Sequence, residues 1–241
     1  MNTESGTLYL VATPIGNYKD ITYRALRILK EVEIIVYEER KEGERLLAHY
    51  GIQKTETEMM NEHNEEEITP RIIERLQQGK NVALISDAGT PIFSDPGQFL
   101  VRNAIESKIK IVPIPGVSSL VPALVLSGFP IHEFLFYGFL SPKKEQRISE
   151  LRQLRGEHRP IVLMDTPYRL LPVIKDVAEV FGNQRRLCVA TNLTMPDEQV
   201  YRGTADELLK LFQEENLKCE FVIVVEGTGK RPSKQKRIPT F

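Results

Sequence analysis

The sequence lacks several features that would mark a secreted or membrane protein. It has no tryptophan and only 2 cysteines in 241 residues, too few for the disulfide framework of a small secreted domain. No apolar run reaches the ~18 residues needed to span a bilayer. The N-terminus has no basic segment followed by an apolar one, as a secretory signal would have. We therefore expect a cytoplasmic protein that does not enter a membrane.

Motifs for metal and nucleotide chemistry are also missing. The 4 histidines are scattered, and no Cys/His spacing is typical of a metal site, so no bound metal is expected. A GxGxxG fingerprint is absent, which removes the basis for a nicotinamide-binding domain. The formal net charge is -1, from 32 basic and 33 acidic residues. This balance excludes a uniformly basic nucleic-acid binder but leaves room for local basic patches.

What the sequence does contain is a regular alternation of strand-like and helix-like segments. This alternation in the first 115 residues predicts a mostly parallel sheet covered by helices. Asp20 is the expected N-cap of the first helix, and Thr69 with Pro70 is the expected start of the third. The five predicted strands of this half are 7–12, 32–37, 55–59, 81–86 and 110–115.

The second half has strand segments at less regular intervals. A short turn before residue 198 indicates an antiparallel neighbour, so a mixed sheet is predicted. Its predicted strands are 134–139, 160–165, 186–192, 198–203 and 220–226. The fold class is therefore α/β with two domains, 1–116 and 117–241. The second domain is expected to end in a basic, disordered tail from about residue 228.

Three loops at predicted strand ends consist mainly of small residues. They are TPIGN (13–17), SDAGTP (86–91) and IPGVSS (114–119). Such loops present backbone N–H and C=O groups to a ligand without obstruction by side chains. Because ligands of α/β sheets bind at the carboxyl ends of the strands, these loops predict a cleft for a polar ligand the size of adenosine.

These loops also carry a resemblance to a known family. ATPIGNYKDIT, ALISDAGTPIFSDPG and VPIPGVSSLVPAL, in this order, resemble the tetrapyrrole methylase superfamily. They are most similar to its ribosomal RNA small subunit methyltransferase I family. The similarity continues through HNEEE, FYGFLSPK, TPYRLL and EFVIVVEG, so it spans about residues 7–227. It does not include the small C-terminal helical domain of fuller members.

The resemblance implies an S-adenosylmethionine-dependent methyltransferase that forms a homodimer and binds its cofactor between two α/β domains. The expected acceptor is a ribose 2′-hydroxyl of small-subunit ribosomal RNA. Carried over position by position, the implied cofactor contacts come from both halves of the chain. They are Pro14, Ala88, Gly89, Thr90, Phe93 or its neighbour Ile92, Ser118, Ser119, Met164 and Leu193.

The chain departs from the family pattern mainly where the substrate is expected. The family's Glu-Asp-Thr-Arg-His is here Glu-Glu-Arg-Lys-Glu (38–42), and its Arg-Glu-Leu-Thr-Lys is here Thr-Asn-Leu-Thr-Met (191–195). A poor nucleophile such as a ribose hydroxyl gains from a nearby base. Glu38 and Asp87 are both candidates for that base, and the sequence does not choose between them.

The acceptor therefore stays open among three hypotheses. The chain methylates RNA, or it methylates a tetrapyrrole precursor or another small molecule, or it binds cofactor or RNA without catalysis. If the acceptor is RNA or an assembled small ribosomal subunit, local positive charge is required. The expected sources of that charge are Arg40, Lys41, Lys143, Lys144, Arg147 and the tail residues Lys230 to Arg237.

Overall fold

The structure is a computed structural model that describes residues 5–54, 56–93, 95–215 and 217–229. It divides into two compact units, the first ending at Ser118 and the second beginning at Ser119. The basic tail expected from about residue 228 lies, from Lys230 onward, outside the described residues.

The first unit is built around a parallel five-stranded sheet with the order β3-β2-β4-β1-β5. Its strands are β1 (Thr7–Val11), β2 (Ile34–Tyr37), β3 (Glu56–Met59), β4 (Val82–Ile85) and β5 (Lys110–Ile114). The connecting helices are α1 (Tyr23–Glu31), α2 (Arg40–His49), α3 (Glu65–Gln77) and α4 (Gln98–Glu106). The parallel sheet predicted from the strand–helix alternation is confirmed.

Helices cover both faces of this sheet. Every residue of β2 and β4 is buried, which agrees with their continuous apolar sequences. On one face the sheet packs against Ala25 and Leu29 of α1 and Leu46 of α2. On the other face it packs against Ile72 of α3 and Leu100 of α4. The two apolar clusters hold the sheet rigid, so the loops at its edge start from fixed positions.

The second unit contains a mixed five-stranded sheet with the order β6-β7-β10-β8-β9. β6 and β7 are parallel, and the other neighbouring pairs are antiparallel, including the predicted pair β8 and β9. The elements are α5 (Leu120–Ser127), β6 (Leu135–Phe139), α6 (Lys144–Leu154), β7 (Ile161–Asp165), α7 (Leu170–Phe181), β8 (Arg186–Thr191), β9 (Gln199–Thr204), α8 (Ala205–Glu215) and β10 (Phe221–Val225).

Two predicted helix starts are wrong. Asp20 belongs to a short 3-10 helix, and the cap of α1 is Thr22, whose hydroxyl accepts from the Ala25 N–H at 3.1 Å. α3 begins at Glu65, so Pro70 lies inside the helix and Thr69 is buried rather than capping. Three consecutive glutamates in the first turn of α3 interact favourably with the positive end of the helix dipole. This effect sets the start of the helix earlier than the Thr-Pro pair suggests.

Among the described residues, every helix is too short or too polar to traverse a lipid bilayer.

Candidate functional site

Four loops leave the carboxyl edge of the first sheet side by side. Ala12–Pro14 follows β1, Glu38 follows β2, 86–90 follows β4 and 115–118 follows β5. Because these strands are parallel and adjacent in the order β2-β4-β1-β5, the loops emerge at the same edge. The structure thus brings the three small-residue loops and Glu38 together on one edge.

Backbone hydrogen bonds join the loops after β1 and β4. The Thr13 N–H donates to the Gly89 carbonyl at 2.8 Å, and the Gly89 N–H donates to the Thr13 carbonyl at 3.1 Å. The buried Thr13 hydroxyl donates to the Ser86 carbonyl at 3.0 Å. The loop after β5 is tied to this pair, since the Thr90 hydroxyl donates to the Val117 carbonyl at 3.3 Å. The edge is therefore held by its own backbone.

Gly89 has a backbone conformation that other residues rarely adopt. Its φ is +88°, and a Cβ there would lie 3.2 Å from Cγ2 of Ile15. Because Gly89 has no side chain, Thr13 can approach closely, and both backbone groups of Gly89 are bonded to Thr13. Gly89 and Pro14 are buried, whereas Ala88 and Thr90, the neighbours of Gly89, are exposed.

Three carboxylates with raised pKa values stand at this edge. Burial raises the pKa of Glu38 to about 7, and the nearby Asp95 and Asp87 add to the rise. Burial also raises the pKa of Asp87, although the Glu39 N–H donates to its carboxylate at 3.3 Å. Burial raises the pKa of Asp95 against an opposing hydrogen bond with Ser86. A carboxylate with a pKa near neutrality is typical of proton-transfer chemistry.

The charged neighbours that raise the pKa values of Glu38 and Asp87 are themselves carboxylates, among them Asp95 and Glu39. The surroundings of Glu38 and Asp87 are therefore acidic. Sequence reasoning does not identify Asp95 as a site residue. The available signal is its place in the Asp-Pro-Gly turn that follows SDAGTP, which allows the chain to fold back toward Ser86.

Glu65, from the HNEEE segment, fixes the segment that carries Asp95 and Phe93. Its carboxylate accepts from the Gly97 N–H at 3.0 Å and from the Phe99 N–H at 2.6 Å, so it caps α4. Phe93 is 46% exposed. Ile92, named as its alternative, is half-buried and has a φ of +73°, which is a strained conformation for a β-branched residue. Such strain is concentrated at ligand-binding segments.

In the second unit, Met164 and Leu193 lie on one edge of the mixed sheet. Met164 is near the end of β7, and Leu193 is the second residue after β8. Both strands pair with β10, and Phe221 is opposite Asp165 on one side and Thr191 on the other. Met164 is half-buried, and Leu193 is buried. Ser118 and Ser119 are half-buried and fall at the junction in sequence between the two units.

The altered segment 191–195 forms an internally bonded loop. The Asn192 side chain accepts from the Glu220 N–H at 3.1 Å and donates to the Asp197 carboxylate at 2.7 Å. Asn192 and Thr194 both have positive φ, +47° and +70°. Asparagine tolerates this conformation well. The departures from the family pattern thus carry a structural role of their own.

Arg147 does not belong to the basic substrate-binding set predicted from the sequence. Its side chain is buried, and its Nε donates to the Asp176 carboxylate at 2.7 Å. Its Nη1 donates to the Ser141 and Pro142 carbonyls, each at 3.1 Å. These bonds satisfy the guanidinium inside the unit, so it cannot contact a phosphate. Arg147 lies on the side of α6 that packs against α7. The positions of basic residues in the sequence do not show this orientation.

The other basic candidates are on the surface. Lys143 and Lys144 stand exposed at the start of α6, and Arg40 and Lys41 stand exposed at the start of α2. Arg40 forms an ion pair with Glu44 at 2.7 Å, which offsets part of its charge. Nowhere in the described ranges do three or more His, Cys, Asp or Glu side chains gather in a way that could bind a metal ion.

Comparisons with known proteins agree with this architecture. The sequence profile of the family described as Tetrapyrrole (Corrin/Porphyrin) Methylases matches residues 7–209. The chain is 40% identical over 228 residues to a ribosomal RNA small subunit methyltransferase I of Halalkalibacterium halodurans, which covers 95% of this chain and 78% of that protein. A protein with the same description from Synechocystis sp. is 43% identical over 222 residues, 92% of this chain and 79% of the relative.

Among solved structures, a cobalt precorrin-4 methyltransferase of cobalamin biosynthesis has the same fold. The two superpose with a TM-score of 0.67 at 18% identity, over 91% of this chain and 94% of that one. Profile, sequence relatives and fold lead to one conclusion. The chain belongs to the tetrapyrrole methylase family of methyltransferases, and within it to the group of the ribosomal RNA small subunit methyltransferases I.

Proposed function

We propose that this methyltransferase transfers the methyl group of S-adenosylmethionine to a ribose 2′-hydroxyl of small-subunit ribosomal RNA in the cytoplasm. The names of its relatives support the choice of RNA as acceptor. The observation that carries the chemistry is Glu38, whose pKa is raised to about 7 beside the small-residue loops. An ionisable group near neutral pH is what deprotonation of a hydroxyl requires.

The residues at the edge of the first sheet fit the cofactor. Gly89 has no side chain that could obstruct a ligand, and Ala88 and Thr90 are exposed beside it. We assign cofactor contacts to these three residues together with Pro14, Phe93 and Ser118. Ser119, Met164 and Leu193 are the proposed contacts from the second unit. When bound, S-adenosylmethionine supplies a methyl group on a sulfonium sulfur, which is already activated for transfer.

The charge of the edge favours a positively charged ligand. Glu38, Asp87 and Asp95 each carry a raised pKa, which reports their burial near one another. A sulfonium is positively charged, and the demethylated product is not. The carboxylates should therefore bind the cofactor more tightly than the product at a pH where they are ionised.

Glu38 is the proposed general base, and Asp87 the proposed positioning residue. The Asp87 carboxylate accepts from the Glu39 N–H and so fixes the segment that carries Glu38. Around pH 7 a substantial share of Glu38 is ionised and able to accept the hydroxyl proton. General-base assistance of this kind contributes roughly 10²–10⁴-fold to the rate.

The test compares Glu38→Gln with Glu39→Gln, its exposed neighbour. The acceptor is small ribosomal subunits from a strain that lacks the methyltransferase, and the donor is labelled S-adenosylmethionine. We expect Glu38→Gln to lower kcat by roughly 10²–10⁴-fold with little change in cofactor Kd. Glu39→Gln should keep wild-type kcat.

The pH profile gives a second readout. In the wild type, kcat should rise with pH through about 7 and then level off, because the ionised Glu38 is the active form. Wild-type kcat in Glu38→Gln would remove Glu38 from the mechanism. Label that appears in a porphyrinogen and not in ribosomal RNA would replace the proposed acceptor with a tetrapyrrole.

We also propose a homodimer and an RNA-facing set of exposed cations. α5 supports the dimer because Val121 and Val125 are 57% and 63% exposed on an apolar helix. Light scattering that gives the monomer mass of 27.6 kDa at micromolar concentration would contradict the dimer.

The proposed RNA-facing residues are Arg40, Lys41, Lys143 and Lys144. Neutralising a residue that binds a phosphate should reduce the salt slope of RNA binding by roughly 0.7–0.9.

A further inference from the structure

An exposed aromatic ring with a lysine on it stands at the edge of the second sheet. Tyr168 is 73% exposed, and the Lys218 ammonium lies 4.1 Å from the centroid of its ring. Tyr168 follows the end of β7, and Lys218 precedes the start of β10. Asp165 and Phe221, the residues that end and start these strands, are directly paired in the sheet. The strand pairing thus explains why the two side chains meet.

The turn that carries Tyr168 is rigid. Asp165 accepts from the Thr166 N–H at 2.6 Å, and the Arg169 N–H donates to the Thr166 carbonyl at 3.0 Å. The Arg169 guanidinium pairs with the Asp165 carboxylate, whose side chain is only 1% exposed. Because the backbone on both sides is fixed, little conformational entropy is lost when a partner contacts the ring.

Further lysines stand close to the same edge. The Arg169 Nη2 donates to the Leu140 carbonyl at 3.1 Å, which ties the loop after β6 to the turn after β7. The Arg147 guanidinium donates to the carbonyls of Ser141 and Pro142, the next two residues of that loop. Lys143 and Lys144 come directly after them in the sequence. Along the described chain, no carboxylate forms an ion pair with Lys143, Lys144 or Lys218. Their charges are available to a polyanion.

An accessible aromatic ring beside unpaired lysines matches the chemistry of single-stranded RNA. Unpaired bases stack on exposed aromatic rings, and the neighbouring phosphates contact lysines. A base-paired helix buries its base faces and offers only the phosphates. A protein segment without acidic residues would also match the ring, but it would make no use of three lysines that no carboxylate neutralises.

We propose that Tyr168 and Lys218 form a stacking site for an unpaired nucleotide of the RNA acceptor, with Lys218 beside its phosphate. This inference rests on the proposed RNA acceptor and adds a recognition site on the second unit. It concerns binding, since neither side chain is assigned to the methyl transfer. The site tolerates any base, because every base has a stacking face.

The experiment measures binding of the full chain to a fluorescent single-stranded oligoribonucleotide and to a blunt RNA duplex. The variants are Tyr168→Ala, Tyr168→Phe and Lys218→Ala. Tyr23→Ala is the matched control, because Tyr23 is 94% exposed and lies on α1 of the first unit. We expect Tyr168→Ala to bind the single strand roughly 5–150-fold more weakly. Duplex binding should stay within about 2-fold, and Tyr168→Phe and Tyr23→Ala should bind as the wild type does.

Lys218→Ala should lower the salt slope of single-strand binding by roughly 0.7, the value expected when one lysine no longer neutralises a phosphate. Calorimetry with S-adenosylhomocysteine should give wild-type affinity for all variants. Single-strand binding by Tyr168→Ala equal to the wild type overturns the inference, and so does a loss of S-adenosylhomocysteine affinity in place of RNA affinity. Methylation of small subunits by the wild type is scored separately, so a failure of the proposed acceptor is recognised independently of the stacking site.

Discussion

The two units differ in how they accommodate partly or fully buried carboxylates. In the first unit, Glu38, Asp87 and Asp95 are neighbours whose pKa values burial raises. In the second unit, Asp165 and Asp176 are each paired with an arginine. Paired charges hold loops in place, whereas unpaired charges keep a shifted pKa that can be used in chemistry. The comparison is consistent with the proposed proton transfer at the first edge, whereas the arginine pairs of the second unit fix its loops.

The largest expected effect comes from breaking a pair in the second unit. Arg147→Met leaves the Asp176 carboxylate buried without its partner, and its side chain is only 3% exposed. We expect a loss of about 3–5 kcal/mol in the free energy of unfolding, measured with denaturant. Arg147→Met combined with Asp176→Leu should recover much of the loss.

Lys144→Ala, at an exposed position of the same helix, should change stability by less than about 0.5 kcal/mol. If Arg147→Met were as stable as the wild type but bound RNA poorly, the arginine would be a substrate contact and the comparison would fail.

Gly89→Ala tests the backbone that holds the first edge. A residue with a Cβ at a φ of +88° loses roughly 1–2 kcal/mol of stability. Gly51→Ala is the matched control, since Gly51 has a φ of +63° and no atom within 4 Å of an added Cβ. Thermal unfolding should show a loss in both variants, and calorimetry should show weaker S-adenosylhomocysteine binding only in Gly89→Ala. Equal cofactor affinity in the two variants would remove the loop after β4 from the site.

Glu65→Ala removes a carboxylate of the first unit that does have a partner, the N-terminus of α4. Loss of this cap should cost about 1 kcal/mol and loosen the segment with Asp95. Glu66→Ala, exposed in the same first turn of α3, should have little effect on stability. Chemical denaturation of the pair of variants measures the difference. Equal stability would show that the cap is not what fixes this segment.

The smallest effect concerns the contribution of Glu38 to stability. Because its folded pKa is raised from 4.5 to about 7, the native state binds a proton more readily than the unfolded chain does. The stability it confers is present below about pH 4.5 and is lost as pH rises through about 7. Glu38→Gln should therefore unfold at a higher temperature than the wild type at pH 8 and at the same temperature at pH 4. Glu39→Gln is the control. A constant difference across this range would mean that the shift is not a property of the folded state.

Much of the fold follows from sequence periodicity. The apolar runs of β2 and β4 predict strands buried on both faces, and the structure buries each of their residues. The short turn before β9 predicts its antiparallel pairing with β8. Helix starts are harder to predict because several residues compete for the same role. Thr22 caps α1 in place of Asp20, and the acidic turn at Glu65 overrides Thr69 and Pro70 in α3.

The sequence predicts which loops form the candidate site, but it does not predict which charged side chains are buried there. Small residues at the strand ends indicate where a ligand can approach, and strand order brings those loops together. Whether a charge is buried depends on packing partners distant in sequence. Arg147 finds Asp176 29 residues later, and Glu38 owes part of its pKa shift to Asp95. Because neither neighbour is visible from local spacing, sequence reasoning places Arg147 on the surface and overlooks Asp95.

The position of β1 between β4 and β5 in the first sheet has a consequence for the order of folding. β1 precedes its sheet neighbours β4 and β5 by many residues, and the Thr13 hydroxyl bonds to a carbonyl 73 residues later. Closing such long loops is slow compared with forming a hairpin such as β8–β9. The edge proposed to bind the cofactor therefore cannot assemble during synthesis until the chain through Ile114 is free to pair. Until then the nascent chain carries an unpaired apolar strand.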